Sequence, residues 1–180
     1  MLVTLKNNKK VYFRRLISTD FNNLKDYLNG LSIETKDRFG PHQYDTDTII
    51  QFYNSETNIG FIATNYPTNN IVAYAIIKIG YIENEAFRMQ SYGLVLNHTT
   101  YCTYAPSVAD AWQSCGVGKA LFNYILTSLI TYNIQCIILW GGVQATNEKA
   151  INYYKKLGFI TLGEFDYNGH NYDMVKLIGQ

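Results

Sequence analysis

Apolar and polar residues alternate along the chain with two different periods, and the first thirty residues show both. Residues 11–16 combine β-branched and aromatic side chains, which predicts a strand. Apolar residues then recur at Phe21, Leu24 and Leu28, a spacing that predicts an amphipathic helix. The polar residues 18–20 directly before this helix offer a side-chain N-cap. We therefore expect the fold to open with a strand followed by a helix.

The next region predicts two short helices and a hairpin. Residues 33–38 and 46–53 have helical apolar spacing. Residues 59–66 and 71–79 are rich in β-branched and aromatic residues, and the polar residues 67–70 join them. This arrangement predicts two antiparallel strands connected by a tight turn.

The middle of the chain contains the least regular and the most regular patterns. Residues 83–98 show almost no periodicity, so we expect an irregular or strand-bearing insertion there. Residues 102–109 resume an extended pattern, and a helix of about four turns is predicted from Gly116 onward. One face of this helix is marked by residues at three- to four-residue spacing, namely Val117, Leu121, Tyr124, Ser128 and Tyr132.

The last third of the chain predicts a strand, a helix and a final hairpin. Residues 134–140 form a short apolar run that is typical of a buried strand. Residues 147–157 predict a helix that ends at Gly158. Residues 159–167 and 172–178 predict a hairpin with an Asn-Gly turn. Together the elements predict an α/β fold, with a mixed sheet of the α+β kind and helices on both faces.

Composition narrows the class of protein mainly by exclusion. With 180 residues and 47% apolar composition, the chain can bury roughly 70% of its unfolded surface, so we expect a single domain over residues 1–180. Fifteen Lys and Arg against fourteen Asp and Glu give a net charge of +1 without a block of one sign, which argues against a nucleic-acid partner. The longest apolar runs, residues 71–77 and 136–140, are far shorter than the ~20 residues that span a bilayer.

The N-terminal residues and the cysteines favour a cytoplasmic location. Residues 1–15 contain no continuous hydrophobic segment, so we expect no secretory signal. The three cysteines are too far apart for a C-x-x-C metal or redox motif, and we expect them to be reduced thiols.

A glycine-containing turn joins the predicted strand at 102–109 to the helix that starts near Gly116. The first N–H groups of a helix have no intrahelical acceptor, and with the positive end of the helix dipole they can bind an anion. A glycine near a helix start is, by itself, more often simple turn chemistry. The chain has no early G-x-G-x-x-G followed by an acidic ribose partner and no G-x-x-x-x-G-K-[ST] loop, which disfavours dinucleotides and nucleoside triphosphates.

This segment resembles the signature of the GNAT acetyltransferase superfamily, Q/R-x-x-G-x-G/A between a strand and a helix. Here the signature is Gln113-Ser114-Cys115-Gly116-Val117-Gly118. The resemblance implies a GNAT-like fold, with a central, mostly antiparallel twisted sheet, and a loop that binds the diphosphate of acyl-CoA. The residues implied in cofactor binding are Val108, whose main chain pairs with the pantetheine arm, and the loop residues Gln113, Ser114, Cys115, Gly116, Val117, Gly118 and Lys119.

Residues 147–159 resemble the second GNAT hallmark, N-x-x-A-x-x-x-Y-x-x-x-G-F. Asn147 and Tyr154 are seven residues apart, about two helical turns, which predicts that both project from one face of a helix. Alone, Tyr154 would be better explained as a core aromatic residue of an amphipathic helix. The resemblance implies that Asn147 bonds the pantetheine arm and that Tyr154 protonates the departing thiolate as general acid. A tyrosine of pKa ~10 can donate a proton to a thiolate whose conjugate acid has a pKa near ~8.5.

A proton acceptor for the incoming amine is missing from its usual place. Many GNAT proteins carry a glutamate on the strand before the loop, but residues 103–107 contain no carboxylate. Four residues remain open as relays through water, namely His42, Tyr104, Ser107 and Asp110. Cys115 could instead act as a nucleophile, because a thiol at a helix N-terminus has a lowered pKa, although no histidine lies near it in sequence.

The resemblance implies an acetyl-CoA-dependent N-acetyltransferase that acts by direct transfer in a ternary complex. Acetyl-CoA is expected as co-substrate and no metal is expected. The expected partner is a small-molecule or peptide amine, with no nucleic acid and no membrane, and a homodimer is compatible with this. Two alternatives stay open: a catalytically silent acyl-CoA-binding or regulatory domain, and a protein that binds nucleotides or other phosphate ligands. Residues 18–53 contain no motif that names the amine.

Overall fold

The computed structural model describes residues 1–6 and 8–179, which contain nine strands and six α-helices. The strands are β1 (Leu2–Thr4), β2 (Lys10–Arg15), β3 (Asn58–Asn65), β4 (Ile71–Ile79), β5 (Tyr101–Val108), β6 (Cys136–Leu139), β7 (Val143–Gln144), β8 (Ile160–Asp166) and β9 (His170–Leu177). The helices are α1 (Phe21–Asn29), α2 (Ile33–Asp37), α3 (Thr46–Tyr53), α4 (Ala86–Ser91), α5 (Val117–Leu129) and α6 (Glu148–Lys156). In the described part of the chain, no helix has both the length and the apolarity needed to cross a membrane.

The strands form a mixed sheet in the order β1-β2-β3-β4-β5-β6-β9-β7, and β8 pairs with β9. Strands β5 and β6 are parallel, whereas β1–β2, β2–β3, β6–β9, β7–β9 and β8–β9 are antiparallel. The parallel pair is joined through α5, because parallel neighbours need a crossover connection. The predicted mixed, mostly antiparallel sheet is therefore confirmed.

The chain divides into two compact units. The first contains Met1–Ile77 and Ala105–Ser128, and the second contains Lys78–Tyr104 and the chain from Leu129 onward. The prediction of one domain is not tested by this division.

The core of the first unit follows the predicted alternation. Val11 and Phe13 of β2 are fully buried, and the ring of Tyr124 from α5 lies 6.0 Å from that of Phe13 and 6.2 Å from that of Phe61. Helix α1 buries Leu24 together with Tyr27 and Leu28, as its apolar spacing predicts.

The predicted N-cap of α1 is wrong. A turn of 3-10 helix at Ser18–Asp20 precedes α1, and no side chain caps the helix itself. The buried carboxylate of Asp20 instead accepts the N–H of Ile17 at 3.0 Å and the Arg14 guanidinium at 2.8 Å. The ion pair with Arg14 of β2 uses the carboxylate oxygen atoms of Asp20 that would otherwise cap the helix.

The second unit contains the predicted final hairpin and the predicted helix before it. The turn between β8 and β9 has positive φ at Asn168 (47°) and Gly169 (110°), as an Asn-Gly hairpin requires. Helix α6 ends before Gly158, whose φ is 86°. Both predictions are confirmed.

The expected irregular or strand-bearing insertion at residues 83–98 is mostly helical. It contains a turn of 3-10 helix at Glu83–Glu85 and then α4, and no strand lies among these residues. Met89 of α4 is 1% exposed and belongs to a core cluster with Cys136, Ile138 and Val175. A six-residue helix is too short to show a period in sequence, so contacts with β6 and β9 decide its structure.

Candidate active site

The predicted phosphate loop lies in the first unit, between β5 and α5. After a turn of 3-10 helix at Asp110–Trp112, the backbone has positive φ at Ser114 (60°) and at Gly116 (92°). A side chain at position 116 would meet no atom within 4 Å, so the positive φ is what favours glycine there. Residues other than glycine with positive φ, such as Ser114, concentrate at functional loops.

The main-chain amides of residues 114–119 are not used by the protein. Over the described residues, none of these N–H groups donates a hydrogen bond to a protein acceptor. The first amide of α5 to do so is that of Ala120, which donates to the Gly116 carbonyl at 3.0 Å. Six consecutive donors at the positive end of a 13-residue helix are what an anion-binding loop needs.

Side chains inside the loop fix its shape. The Gln113 amide nitrogen donates to the Val108 carbonyl at 3.3 Å and to Asp110 Oδ1 at 3.4 Å, and Cys115 Sγ donates to the Trp112 carbonyl at 2.7 Å. The predicted contacts of Val108 and Gln113 with an acyl-CoA stay predictions. Gln113 bonds within its own loop, which explains why the signature needs a long polar side chain at this position.

Asp110 anchors the loop to α2 and is a poor proton acceptor. Its Oδ1 accepts from the Ser32 hydroxyl at 2.8 Å and from the Thr35 hydroxyl at 2.9 Å, and its Oδ2 accepts the Ser32 N–H at 3.1 Å. Burial acts to raise the pKa of Asp110, but these hydrogen bonds outweigh it and lower the pKa.

Asn147 and Tyr154 lie in the second unit, at opposite ends of α6. Asn147 is the N-cap, and its Oδ1 accepts the Ala150 N–H at 3.2 Å. Tyr154 lies in the last part of the helix, with its ring 5.2 Å from Tyr153 and 5.6 Å from Phe159. Burial raises the pKa of the Tyr154 hydroxyl, so it is protonated at neutral pH, as an acid must be.

Tyr104 is a neighbour of this aromatic group rather than a base. Its ring stacks on Phe159 at 6.4 Å, and its hydroxyl lies 3.4 Å from that of Tyr153. Burial raises the pKa of Tyr104 and that of Tyr153, the latter to about 12. Both phenols therefore keep their protons near neutral pH.

His42 and Ser107 belong to buried polar networks in the first unit. His42 Nδ1 lies 2.7 Å from the Gln43 carbonyl, and its Nε2 lies 3.0 Å from the Tyr74 hydroxyl. Burial lowers the pKa of His42, so the ring is neutral at pH 7. The carbonyl fixes the proton on Nδ1, and Nε2 then accepts from Tyr74. Ser107 is buried and bonds the Tyr27 hydroxyl at 3.1 Å.

The sequence analysis did not single out Glu85, the residue directly before α4. Its Oε1 accepts the Gly141 N–H at 3.1 Å and lies 3.6 Å from Arg88, and its side chain is only 14% exposed. Burial raises the pKa of Glu85, and the nearby Asp173 adds to this, although Arg88 opposes it. No local motif marks Glu85. Its partner Gly141 is distant in sequence, and its partner Arg88 lies in an aperiodic segment.

The second unit also contains a groove that is lined in part by α6. This groove of about 460 Å³ is lined by Ala145, Glu148, Ile151, Asn152, Lys155, Thr161 and Tyr172, none of which is a predicted site residue. Within residues 1–6 and 8–179, no group of three or more His, Cys, Asp or Glu residues is arranged to hold a metal ion.

Comparison with known proteins agrees with the fold. The model of the acetyltransferase (GNAT) family matches residues 26–159. Among solved structures, the GNAT domain of PAT from S. lividans has a TM-score of 0.77 at 18% identity, over 99% of this chain and 96% of that one. The ribosomal-protein-S5-alanine acetyltransferase from Vibrio fischeri has a TM-score of 0.72 at 13% identity, over 100% and 98% of the two chains.

A spermidine N-acetyltransferase, a chimera of the Vibrio cholerae SpeG protein and hSSAT, has a TM-score of 0.66 at 20% identity, over 93% of this chain and 95% of that one. At these identities, the structures show a shared fold. The family model covers well over half of the sequence and includes both motifs described above. The chain therefore belongs to the GNAT family of acetyltransferases.

Proposed function

We propose that this protein is an N-acetyltransferase that moves the acetyl group of acetyl-CoA to a primary amine by direct transfer in a ternary complex. The observation that supports it most is the run of six loop amides, residues 114–119, without protein acceptors. Family membership supports acetyl transfer in general. The named relatives act on spermidine and on an alanine of a ribosomal protein, so an amine acceptor is the shared chemistry.

The loop supplies the binding of the diphosphate. Its amides donate hydrogen bonds to the phosphate oxygens, and glycine at positions 116 and 118 lets the phosphates approach the backbone. Lys119 adds its own main-chain amide to these donors.

Two other residues bind the pantetheine arm. The main chain of Val108 pairs with it. Because the Oδ1 atom of Asn147 caps α6, the amide nitrogen of Asn147 is the group that donates to pantetheine.

Tyr154 supplies the proton for the leaving group. When the amine nitrogen bonds to the acetyl carbon, the carbon–sulfur bond breaks and the sulfur takes the proton of the Tyr154 hydroxyl. A partly buried phenol that stays protonated at neutral pH is suited to this step. An acyl-enzyme on Cys115 is less well supported, because its thiol donates to the Trp112 carbonyl instead of meeting a base.

Thermal unfolding with four ligands tests the proposal. A ligand at 100 times its Kd adds ~2.7 kcal/mol to the free energy of unfolding. For a chain of this size, that shifts Tm by roughly 5–10 °C. We expect acetyl-CoA and CoA to raise Tm and ATP and NAD to leave it unchanged. A shift with ATP or NAD alone would show a nucleotide-binding protein. Thiol release with spermidine and an alanine-starting peptide then separates an enzyme from a silent binding domain.

A further inference from the structure

The carboxylate of Glu85 lies at the carboxyl end of β6, a strand of the second unit that has β5 as a parallel neighbour. Tyr104 of β5 pairs with Leu139 of β6 at the end of their shared register, and the Trp140 N–H donates to the Tyr104 carbonyl at 3.0 Å. The next amide along the chain, that of Gly141, donates to Glu85 Oε1 at 3.1 Å. In open α/β sheets, ligands bind outside the carboxyl ends of parallel strands. Glu85 therefore lies at the carboxyl end of one strand of the parallel pair, the kind of strand end to which that rule refers.

The segment that carries Glu85 and the helix that carries Tyr154 cover opposite faces of β6. Met89 of α4 packs with Cys136 and Ile138, two residues that share one face of the strand. Tyr104 shares the other face, because it pairs with Leu139, and its ring packs against Phe159 next to Tyr154. A proton acceptor and a proton donor can thus approach the strand ends from two sides without neutralising each other.

The surroundings of Glu85 leave its negative charge incompletely compensated. Arg88 lies 3.6 Å from it, but the same guanidinium is committed to Asp173 at 2.7 and 3.2 Å. Asp173 is 1% exposed, so two largely buried carboxylates share one cation. The Gly141 amide is the remaining neighbour that favours the ionised form. Burial raises the pKa of Glu85 above the ordinary glutamate value, which makes the carboxylate a stronger base.

Building on the proposed function, we propose that Glu85 is the general base of the transfer, taking a proton from the ammonium group of the acceptor directly or through one water. The inference follows from the place of the carboxylate at the carboxyl end of β6 and from the surplus negative charge around it, which attracts a cationic acceptor. In many GNAT proteins a glutamate on the strand before the loop accepts this proton. Here a glutamate in the aperiodic insertion at residues 83–98 would do so.

The protons balance as follows. The acceptor arrives as an ammonium ion, and Glu85 takes one proton from it to leave the neutral amine. The amine nitrogen bonds to the acetyl carbon, the carbon–sulfur bond breaks, and Tyr154 gives its proton to the sulfur. The nitrogen then loses a second proton, which returns to the Tyr154 oxygen. Glu85 releases to water the proton that it took from the ammonium ion. One proton is released for each amide formed.

The test is Glu85→Gln, which keeps an oxygen atom to accept the Gly141 N–H but cannot take a proton. The readout is kcat/KM for acetylation of spermidine and of an alanine-starting peptide, at pH 7 and at pH 9.5. We expect the variant to be about 100-fold slower than wild type at pH 7. At pH 9.5, the α-amine of the peptide (pKa ~8) is already neutral, and more of a spermidine amine of pKa ~10.4 is neutral than at pH 7, so the deficit should shrink to about tenfold or less for both.

Two controls separate a base from a structural residue. Glu83→Gln removes an exposed carboxylate near His98 and should match wild type. Glu85→Asp keeps a carboxylate and should be at least tenfold faster than Glu85→Gln at pH 7. A deficit that is the same at both pH values, equal activity of the Gln and Asp variants, or loss of the acetyl-CoA shift in Tm in Glu85→Gln would each overturn the proposal.

The experiment also distinguishes this inference from the proposed function. If wild type binds acetyl-CoA but acetylates no member of a panel of primary amines that includes these two, the proposed function fails, and the role of Glu85 fails with it. If wild type acetylates an amine and Glu85→Gln is within about twofold of it at pH 7, only the role of Glu85 is wrong.

Discussion

At the scale of single residues, the proposed chemistry uses two kinds of group. The loop at residues 114–119 offers main-chain N–H groups, so it needs a backbone shape more than particular side chains. The acid at Tyr154 and the base at Glu85 need particular functional groups. Substitutions in the loop should therefore change ligand binding through backbone shape and charge. Substitutions of Tyr154 or Glu85 should slow the reaction by removing a proton-transfer group.

Removing the hydroxyl of Tyr154 should slow turnover without weakening acetyl-CoA binding. Tyr154→Phe keeps the ring that packs against Phe159 but leaves the departing thiolate without its proton donor. We expect kcat to fall by roughly 100-fold, with the Kd for acetyl-CoA within about twofold of wild type. Steady-state kinetics and calorimetry measure the two quantities. Tyr153→Phe is the matched control and should retain most activity; wild-type kcat in Tyr154→Phe would remove Tyr154 from the mechanism.

A negative charge in the loop should repel the diphosphate. Gly118→Asp places a carboxylate in the first turn of α5, whereas Gly118→Asn adds a side chain of the same size without the charge. We expect the Asp variant to bind CoA at least tenfold more weakly than the Asn variant, because like charges a few ångströms apart cost ~1–4 kcal/mol. The difference should shrink in high salt. Equal affinities at low salt would mean that the diphosphate binds elsewhere.

Residues whose role depends on local sequence were the predictable ones. The turn between β5 and α5 could be predicted because its glycine spacing and the helix start are adjacent in the chain, and Gly116 has the positive φ that such a turn requires. Asn147 acts as the N-cap of α6, outside the helix on which its spacing placed it. Glu85 could not be predicted, because its amide partner, Gly141, is 56 residues away.

At the scale of elements, the insertion between β4 and β5 shows how packing and one ion pair define a segment without periodicity. Met89 packs in the core cluster, Arg88 pairs with Asp173 of β9, and the guanidinium lies 3.8 Å from the centre of the Phe165 ring. Long segments with strong periods, such as α5, were predicted correctly. Strands β1 and β7, with three and two residues, are too short to leave a pattern.

Breaking the ion pair should destabilise the protein. Arg88→Ala leaves the buried carboxylate of Asp173 without its cation. We expect a loss of about 3–5 kcal/mol in the free energy of unfolding, measured by urea titration. Adding Asp173→Asn removes the unpaired charge and should recover part of the loss. A double variant that is no more stable than Arg88→Ala would show that the ring contact, and not the charge, carries the effect.

At the scale of the whole molecule, buried ionisable groups couple stability to pH. Burial lowers the pKa of His42, so the unfolded chain binds a proton at this residue more readily than the folded one. Its contribution to stability is therefore complete above the ordinary histidine pKa of ~6.5 and is lost as the pH falls below it. Glu85 acts in the opposite direction, because a raised carboxyl pKa favours the folded state as the pH falls.

The variant His42→Asn should flatten the acid side of the stability profile. One proton contributes a slope of at most about 1.4 kcal/mol per pH unit. We expect the free energy of unfolding of wild type to decrease more between pH 7.5 and 5.5 than that of His42→Asn, whatever their absolute values. Urea titrations at three pH values measure this. Parallel profiles would show that His42 does not titrate differently in the two states.

The thiol of Cys115 makes the loop at residues 114–119 accessible to chemical footprinting. Cys102 and Cys136 are buried, whereas Cys115 is partly exposed among the loop amides. Iodoacetamide should therefore carbamidomethylate one sulfur in the native protein and three in denaturant, as counted by intact mass. If acyl-CoA occupies the loop, saturating CoA should slow that single modification, giving an occupancy readout that requires no knowledge of the amine.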